Sequence, residues 1–317
     1  MNAAVVNVLG QAPQYQQFPE PVAEAGETVV QMRAAGLHPI VKLLASGQHY
    51  SSRGQVPMIP GVDGVGVLDD GSLAYCLAAR RAFGAMAERT VVVREKCIPL
   101  PAGLDPAQAA AIANPGMSAW LSLTLRAGLS AGETVLVMGA TGVAGQLAVQ
   151  AARYLGAGKV IAAGRNRELL EAVGADGIIT LTDSEEVIQE AFAAQIRDRG
   201  IDVVIDYLWG RPTELLLDAL AKGFRPEATQ RTRLVEVGSS AGQAISLPAA
   251  VLRSVDLTLS GSGFGSVPMD QIMGAIPTLF SLAAAGHLHV AVESVPLSEV
   301  ERAWSAVEKG KRIVFSI

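Results

Sequence analysis

A glycine-rich segment in the middle of the chain constrains the fold more than any other feature. The segment TVLVMGATGVAGQLAVQAARYLGA runs from an apolar stretch ending at Met138, through Gly139, Gly142 and Gly145, into a pattern with helical spacing. A strand, a tight glycine turn and a helix in this order are typical of the phosphate-binding start of a βαβ unit. The sequence therefore predicts a Rossmann-type nucleotide site at this turn.

The loop residues have separate predicted roles. We expect Gly142 to let the backbone approach a pyrophosphate and Gly145 to let the helix pack closely on the strand, while the free amides at the helix start attract the anion. Ala140 stands where the standard fingerprint has its first glycine, so the strand and helix around the loop carry the prediction; a glycine turn without a ligand is the alternative. The loop residues predicted to bind the cofactor are Thr141, Gly142, Val143, Ala144 and Gly145.

The end of the next predicted strand, KVIAAG, indicates which dinucleotide binds. An NAD site usually has an Asp or Glu about 20 residues beyond the loop, to bind the ribose hydroxyls. This chain instead has Gly164, Arg165, Asn166 and Arg167, so no acid repels a 2′-phosphate and a guanidinium can bind it. We therefore predict NADPH, with these four residues in its site. The alternative is that both arginines are solvated charges at the start of the following helix.

Strands and helices alternate from the glycine loop onward, with a helix expected over about residues 184–196. Regular alternation predicts βαβ units and a parallel sheet. Before Pro101, short β-rich runs such as VVNVL and ETVVQMRAAGL predict a mostly β domain, and the tail has a strand, a helix and a strand that we expect to return to it. The predicted fold is α/β: a Rossmann-type doubly wound parallel sheet over residues 113–285, with a mostly β domain formed by residues 1–112 and 286–317.

Composition excludes several classes of protein. A chain of 317 residues that is 50% hydrophobic and 17% charged is too apolar to be disordered, and its net charge of -5 leaves no basic surplus for nucleic acid. Two cysteines, Cys76 and Cys97, cannot form a disulfide framework, and free thiols favour the cytoplasm. The N-terminal apolar run is short and the longest one is interrupted by glycines, so we expect neither a signal peptide nor a membrane span.

Motifs along nearly the whole chain resemble one family. They are AAGLHPIVKLLASG, IPGVDGVG, the run from GAMAERTVVV to LPAGLDPAQAAAIANPGMSAW, GATGVAG, AAGRN and PLSEVERAWSAVEKGKRIVF. In these motifs the chain is similar to the medium-chain dehydrogenase/reductase superfamily, in its zinc-free quinone-oxidoreductase-like (zeta-crystallin-like) branch. The resemblance implies a GroES-like first domain completed by the C-terminal tail, an active site between the domains, and a homodimer.

The zinc alcohol dehydrogenases of this superfamily differ from the chain at their metal ligands. They carry a Cys in the first motif and Gly-His-Glu in the second, together with a four-cysteine lobe, whereas this chain reads GLHP, then Gly61, Val62 and Asp63, and lacks the lobe. Since a catalytic zinc needs about three protein ligands, we predict no metal. The quinone-oxidoreductase branch usually has Asn at the position of His38 and often Asp at that of Val41, which leaves the substrate open.

Without zinc, hydrogen-bond donors must stabilise the negative charge that develops on a substrate oxygen during hydride transfer. The segment SGQHY supplies His49 and Tyr50, and His38 precedes it. We expect Tyr50, which the resemblance places near the cleft, to orient or protonate the substrate with His49 or His38 assisting. Structural roles for all three are the alternative. The predicted activity is NADPH-dependent reduction of a small quinone, enone or carbonyl compound.

Further cofactor contacts are predicted from the topology of the fold. Asn114 and Met117 are expected to line the nicotinamide pocket, although core packing would also explain Met117. Ligands of open α/β sheets lie outside the carboxyl ends of the strands. The residues expected there are Leu208, Val237, Gly238, Ser239 and Gly263.

Two other functions fit parts of the sequence. Gly238 to Gly242 match G-x-S-x-G, which would make Ser240 a hydrolase nucleophile with Asp256 and His287 following in order, but the next residues, QAISLPAA, make a poor helix. A redox-inactive NADPH-binding protein of the same fold is the other alternative. His287 and His289 share one face of a predicted strand and could contact a metal, but no third ligand is evident.

Overall fold

The computed structural model describes residues 1–49, 52, 54–80, 82–223, 231–306 and 310–317. The chain divides into two compact units, Met1–Pro115 with Ile276–Ile317, and Gly116–Ala275. Both boundaries fall inside helices that contain a proline, Pro115 in one and Pro277 in the other. The functional domain limits after residues 112 and 285 stay a prediction.

The described residues form fifteen strands and nine α-helices, together with two short 3-10 helices and one π-helical segment. The strands are β1 (Asn2–Val5), β2 (Gln14–Gln17), β3 (Glu27–Gly36), β4 (Asp63–Val67), β5 (Leu73–Leu77), β6 (Arg89–Val93), β7 (Ile98–Pro99), β8 (Thr134–Met138), β9 (Lys159–Gly164), β10 (Gly177–Thr180), β11 (Val203–Asp206), β12 (Arg231–Glu236), β13 (Asp256–Gly261), β14 (Ala291–Pro296) and β15 (Lys311–Ser316). The helices are α1 (Pro39–Ala45), α2 (Pro106–Leu121), α3 (Val143–Tyr154), α4 (Arg167–Ala172), α5 (Glu185–Asp198), α6 (Gly210–Lys222), α7 (Ala249–Ser254), α8 (Met269–Ala284) and α9 (Val300–Trp304). None of these helices is long and apolar enough to cross a membrane.

The first unit contains a seven-stranded sheet in the order β14-β15-β3-β4-β5-β7, with β6 also paired to β3. Strand β3 shows why the sequence folds this way: Val30, Met32 and Ala34 are buried while Gln31 and Arg33 are exposed, the alternation of a strand with one face on a core. Strand β15 of the tail pairs antiparallel with β3, so the C-terminal strand completes this sheet. The predicted strand VVNVL was placed too late, because β1 ends at Val5.

The second unit is a parallel six-stranded sheet in the order β10-β9-β8-β11-β12-β13. Numbered from β8, this is the order 3-2-1-4-5-6 of a doubly wound nucleotide-binding sheet, which confirms the predicted fold class. All five residues of β8 are buried, since helices cover both faces of such a sheet. The strand order reverses between β8 and β11, so a ligand site is expected at the carboxyl ends of these two strands.

Candidate nucleotide-binding site

The turn after β8 is tied to the neighbouring strand by main-chain hydrogen bonds. The N–H groups of Gly139 and Ala140 donate to the carbonyl oxygen of Ala163 in β9, at 2.8 and 3.0 Å. Gly139 has φ +87°, a conformation that glycine adopts without steric cost. From the sequence we predicted no role for Gly139, although its position directly after a buried strand was the available signal.

Gly145 brings the first turn of α3 against the loop. A Cβ atom at this position would lie 2.2 Å from the carbonyl oxygen of Gly139 and 2.7 Å from the Cα of Ala140, so no side chain fits. Gly142 differs, because its φ is -77° and a Cβ there would meet only the Gly139 oxygen, at 3.4 Å. The protein itself therefore requires glycine at 145 and leaves space at 142.

Helix α3 starts with amides that the protein leaves without acceptors. Its N-cap is Gly142, which has no side chain to cap the helix, and the first N–H bonded back to it is that of Gln146, at 2.9 Å. Within the described part of the chain, the N–H groups of Val143, Ala144 and Gly145 have no protein acceptor. Such a first helical turn, with its partial positive charge, is an anion-binding feature.

The end of β9 lies against the glycine loop. A Cβ atom on Gly164 would lie 3.0 Å from the Cγ2 of Thr141, so the threonine side chain covers this glycine. The residues after the strand have different partners: Asn166 caps α4 by accepting from the N–H of Leu169 at 3.1 Å. Asn166 therefore has a structural role in addition to any contact with a ligand.

Only one of the two predicted arginines keeps its guanidinium group available. Arg167 pairs with Glu171 one helical turn away, with Nε and Oε1 2.9 Å apart, and both side chains are exposed. Arg165 is exposed and has no hydrogen bond or ion pair with any described residue. The structure thus distinguishes two residues that the sequence left equivalent.

A buried carboxylate shapes the turn after β11. Asp206 accepts hydrogen bonds from the N–H groups of Leu208 and Trp209, at 2.8 and 3.0 Å, and from the hydroxyl of Thr213 at 2.5 Å. Burial raises the pKa of Asp206 above its usual 3.8. Trp209 has φ +54°, rare for a residue with a side chain, and such outliers concentrate at functional sites. Neither Asp206 nor Trp209 was predicted from the sequence; an Asp at the end of a buried strand was the available signal.

The predicted residues at the other strand ends lie close to this turn or to the glycine loop. A Cβ atom on Gly139 would lie 3.2 Å from Leu208 Cδ2, which places Leu208 against the loop. Val237 and Gly238 both donate their N–H groups to the carbonyl oxygen of Asp206, at 2.8 and 3.2 Å, and half-buried Ser239 follows. Gly263 lies in an exposed turn after β13.

The two residues predicted to line the nicotinamide pocket belong to α2. Asn114 is half-buried and directly precedes Pro115. Met117 packs against a small buried cluster that includes Leu121 and Val267, so core packing accounts for its position. Their roles in a pocket stay a prediction.

The first unit holds a buried polar cluster formed by His38, Asp63, Tyr75 and Arg312, all at most 3% exposed. The hydroxyl of Tyr75 donates to Asp63 Oδ2 at 2.7 Å, and Nε2 of His38 lies 3.5 Å from Asp63 Oδ1. Arg312 donates to the main-chain oxygen of Leu37 at 2.8 Å. Among the described residues, Oδ1 of Asp63 and both ring nitrogens of His38 are buried without a hydrogen-bond partner, so this cluster is only partly hydrogen-bonded.

Burial changes the charge of this cluster. It raises the pKa of Asp63 from 3.8 to about 7, although the hydrogen bond from Tyr75 and the charge of Arg312 oppose the shift. Burial and the charge of Arg312 hold the pKa of His38 well below 6.5. His38 is therefore a neutral side chain with no exposed surface, and its assistance in catalysis stays a prediction.

The other two predicted catalytic residues follow α1. His49 is half-buried, and its main-chain N–H donates to the carbonyl oxygen of Leu43 at 3.3 Å. Tyr50 lies outside the described residues. The catalytic roles of both stay predictions.

Several features predicted for other functions have a different local structure. Helix α7 begins only at Ala249, so no helix follows Ser240 directly, as a nucleophile elbow requires. His287 and His289 precede β14, which begins at Ala291, so the expectation that they lie on a strand was wrong. Among the described residues, no group of three or more His, Cys, Asp and Glu side chains could hold a metal ion.

Comparison with known proteins agrees with this geometry. Residues 143–285 match the family described as zinc-binding dehydrogenase. The chain is 28% identical to a probable NADPH-dependent quinone reductase of Emericella nidulans over 99% of both chains, and 27% identical to the quinone oxidoreductase of Mus musculus over 65% of each. The solved quinone oxidoreductase of Thermus thermophilus, also determined in complex with NADPH, superposes with a TM-score of 0.79, at 29% identity over 100% of both chains.

The fold, the glycine loop and these relatives identify the protein as an oxidoreductase that has one nucleotide-binding sheet and one mostly β unit. The chain belongs to the medium-chain dehydrogenase/reductase superfamily, in its quinone-oxidoreductase-like branch.

Proposed function

We propose that the protein is an NADPH-dependent reductase that reduces a small quinone, enone or carbonyl compound without a catalytic zinc. The observation that carries the proposal is the set of three unpartnered amides of Val143, Ala144 and Gly145, with exposed Arg165 at the end of the adjacent strand. A dinucleotide with a 2′-phosphate has an anionic group for each of these features. The named relatives that act on quinones support the same class of reaction.

The residues of the loop fit the cofactor by charge and by space. The three amides would bind the pyrophosphate, and the absent side chain of Gly142 leaves room for the backbone to approach it. Arg165 would bind the 2′-phosphate, since its guanidinium has no competing partner among the described residues. The bound cofactor supplies a hydride; the protein's part is to bind and orient it at the carboxyl ends of β8 and β11.

On the substrate side, hydrogen-bond donors of the protein would take the role that a metal has in zinc-dependent enzymes. Tyr50, with His49, would donate a hydrogen bond or proton to the substrate oxygen as negative charge develops there. Zinc independence is supported by the residues at the family's metal positions, where Val62 cannot ligate and Asp63 is engaged by the Tyr75 hydroxyl. His38 would act on the substrate side only by positioning its neighbours, because it is fully buried.

We also propose a cytoplasmic homodimer. Among the described residues, β13 pairs on one side only, with β12, and the residues from Leu257 to Gly261 are half-buried rather than fully exposed. An open strand edge of this kind is a template for pairing with a second copy. Light scattering would give a mass of twice 32.9 kDa if the proposal is correct. The two free thiols support a reducing compartment.

The experiment that tests the activity is NADPH consumption with ortho-quinones, para-quinones, enones and aldehydes, each with and without a chelator. The proposal expects turnover with at least one compound class and no effect of the chelator. Loss of turnover with the chelator would overturn zinc independence. Saturable NADPH binding without consumption of any compound would favour the redox-inactive alternative. Hydrolysis of an aryl ester that Ser240→Ala abolishes would favour the hydrolase instead.

A further inference from the structure

The two cysteines of the chain lie side by side in the first unit. Cys76 is in β5, Cys97 directly precedes β7, and their Sγ atoms are 3.4 Å apart. Because the chain contains only two cysteines, each thiol has the other as its sole cysteine neighbour. Both are free thiols in the structure.

The strand register places the two residues opposite each other. Strands β5 and β7 are antiparallel, with Ala74 opposite Pro99 and Tyr75 opposite Ile98, so the next pair in the same register is Cys76 and Cys97. Cys97 itself directly precedes β7, so the two residues lie side by side at the end of the paired segment of β5 and β7.

The hydrogen-bond pattern shows which kind of cross-strand pair this is. The N–H of Leu100 donates to the carbonyl oxygen of Leu73 at 3.0 Å, which makes these two residues a hydrogen-bonded pair. The two kinds of pair alternate in an antiparallel ladder, so one position beyond β7 this alternation would make Cys76 and Cys97 a non-hydrogen-bonded pair, for which Cα atoms are typically about 4.5 Å apart. A disulfide spans Cα separations of about 4.4 to 6.8 Å, so one can form here without movement of the strands.

The two thiols differ in access and in reactivity. Cys76 is 2% exposed, whereas Cys97 is only partly buried. The contact with Cys76 and the charge of Arg94 lower the pKa of the Cys97 thiol against the effect of burial, and the same contact raises that of Cys76. Arg94 is shared with Asp69 and Asp70, which moderates its effect on the sulfur. Cys97 is therefore the nucleophile and Cys76 the buried partner.

We propose that Cys76 and Cys97 form a redox-active dithiol that a peroxide oxidises to an intramolecular disulfide. The Cys97 thiolate attacks one peroxide oxygen, the O–O bond breaks, and the sulfur becomes a sulfenic acid as hydroxide leaves. The Cys76 thiol then attacks that sulfur, so that the S–S bond forms, the S–O bond breaks and water leaves. The dithiol loses two electrons and two protons, and hydrogen peroxide becomes two molecules of water. The site does not depend on the proposed reductase function.

The test is cysteine labelling of the full-length protein before and after treatment with hydrogen peroxide. After denaturation in iodoacetamide, the reduced wild type is expected to carry two labels, the oxidised protein none, and the oxidised protein after dithiothreitol two again. Two labels after peroxide treatment would overturn the proposal. So would a loss of labelling that dithiothreitol does not reverse, or a disulfide-linked dimer on a non-reducing gel.

Single variants separate the roles of the two thiols. Cys76→Ser leaves the sulfenic acid on Cys97 without its partner, so dimedone is expected to label Cys97 in this variant and not in the wild type. Cys97→Ser leaves only the buried thiol, which is expected to remain alkylatable after peroxide treatment and denaturation. Equal dimedone labelling of Cys76→Ser and the wild type would contradict the assigned order. The labelling of the wild type decides the proposal even if a variant fails to fold.

Discussion

The carbonyl oxygen of Gly139 occupies the space that a side chain at Gly145 would need, since a Cβ atom there would lie 2.2 Å away. This contact holds the first turn of α3 against the end of β8. The amides of Val143 and Ala144 consequently lie beside the loop with no acceptor among the described residues. Close packing of two glycines thus creates the anion-binding turn on which the proposed function depends.

Replacing Gly145 by Ala should lower both stability and cofactor binding. The added methyl group overlaps main-chain atoms of Gly139 and Ala140, so α3 must move away from the loop. We expect a loss of about 2 kcal/mol in the free energy of unfolding, typical of overpacking, together with at least about a tenfold rise in the Kd for NADPH. Urea unfolding and isothermal titration calorimetry measure the two quantities.

Gly142→Ala is the matched control for that variant. Its φ of -77° suits alanine, and the added atom meets only one oxygen, at 3.4 Å, so the free energy of unfolding should change little. NADPH binding should nevertheless weaken, because the methyl group takes the space proposed for the pyrophosphate. Unchanged binding in Gly142→Ala would place the cofactor elsewhere.

Arg165 and Arg167 should differ in their effect on cofactor choice. Arg165→Ala removes the guanidinium that has no described protein partner and should raise the Kd for NADPH by about tenfold, the cost of one charge-assisted hydrogen bond, without changing that for NADH. Arg167→Ala breaks only an exposed pair with Glu171 and should leave both values within about twofold. Parallel titrations of both variants with NADPH and with NADH, at one salt concentration, measure these Kd values. Equal losses for NADPH and NADH in Arg165→Ala would contradict the role.

The parts of this structure that were predictable from sequence are those with local signals. The glycine loop and the alternation in β3 each follow from residues within a few positions of one another. The pair of Arg167 and Glu171 also has a local signal, since the two residues are four positions apart on one helix, although we predicted both arginines in the cofactor site.

Contacts between residues far apart in the sequence account for the other features of the structure that we did not predict. His38 and Asp63 meet only because β4 pairs with β3 in a particular register, and Asp206 depends on where α6 places Thr213. The positive φ of Trp209 could not be predicted from its residue type, since tryptophan does not favour this conformation. These tertiary contacts determine whether a polar residue is exposed and reactive or buried and structural.

Asp206→Ala should destabilise the second unit more than removal of one of the groups that donate hydrogen bonds to Asp206. The substitution leaves the N–H groups of Leu208 and Trp209 and the hydroxyl of Thr213 without their acceptor. We expect a loss of about 3 kcal/mol in the free energy of unfolding, against about 1 kcal/mol for Thr213→Val, which removes a single hydrogen bond. Denaturant melts of the two variants provide the comparison. Equal losses would show that the carboxylate does not hold the turn.

The buried pair of His38 and Asp63 should give opposing pH dependences of stability. Asp63 has a folded pKa of about 7 against 3.8 for an unfolded aspartate, so its contribution is greatest below pH 3.8 and is lost as the pH rises toward 7. His38, whose folded pKa is depressed, contributes stability above 6.5 that is lost as the pH falls. Tyr75 and Arg312 are the other titratable groups in the cluster.

Asp63→Asn tests this directly, because asparagine still accepts the Tyr75 hydrogen bond but does not ionise. Relative to the wild type, the variant should gain stability as the pH is raised from about 5 to about 8, while His38→Asn should gain stability as the pH is lowered over the same range. Thermal melts at the two pH values measure both effects. A constant difference between Asp63→Asn and the wild type would mean that the carboxyl group titrates normally.

Direct titration of the purified wild-type protein with NADPH tests the central claim most directly. We expect saturable binding, a rise in Tm that increases with NADPH concentration as mass action requires, and a weaker response in Gly142→Ala. If excess NADPH produces neither heat of binding nor a change in Tm, the loop after β8 is not a dinucleotide site and the proposed function is wrong.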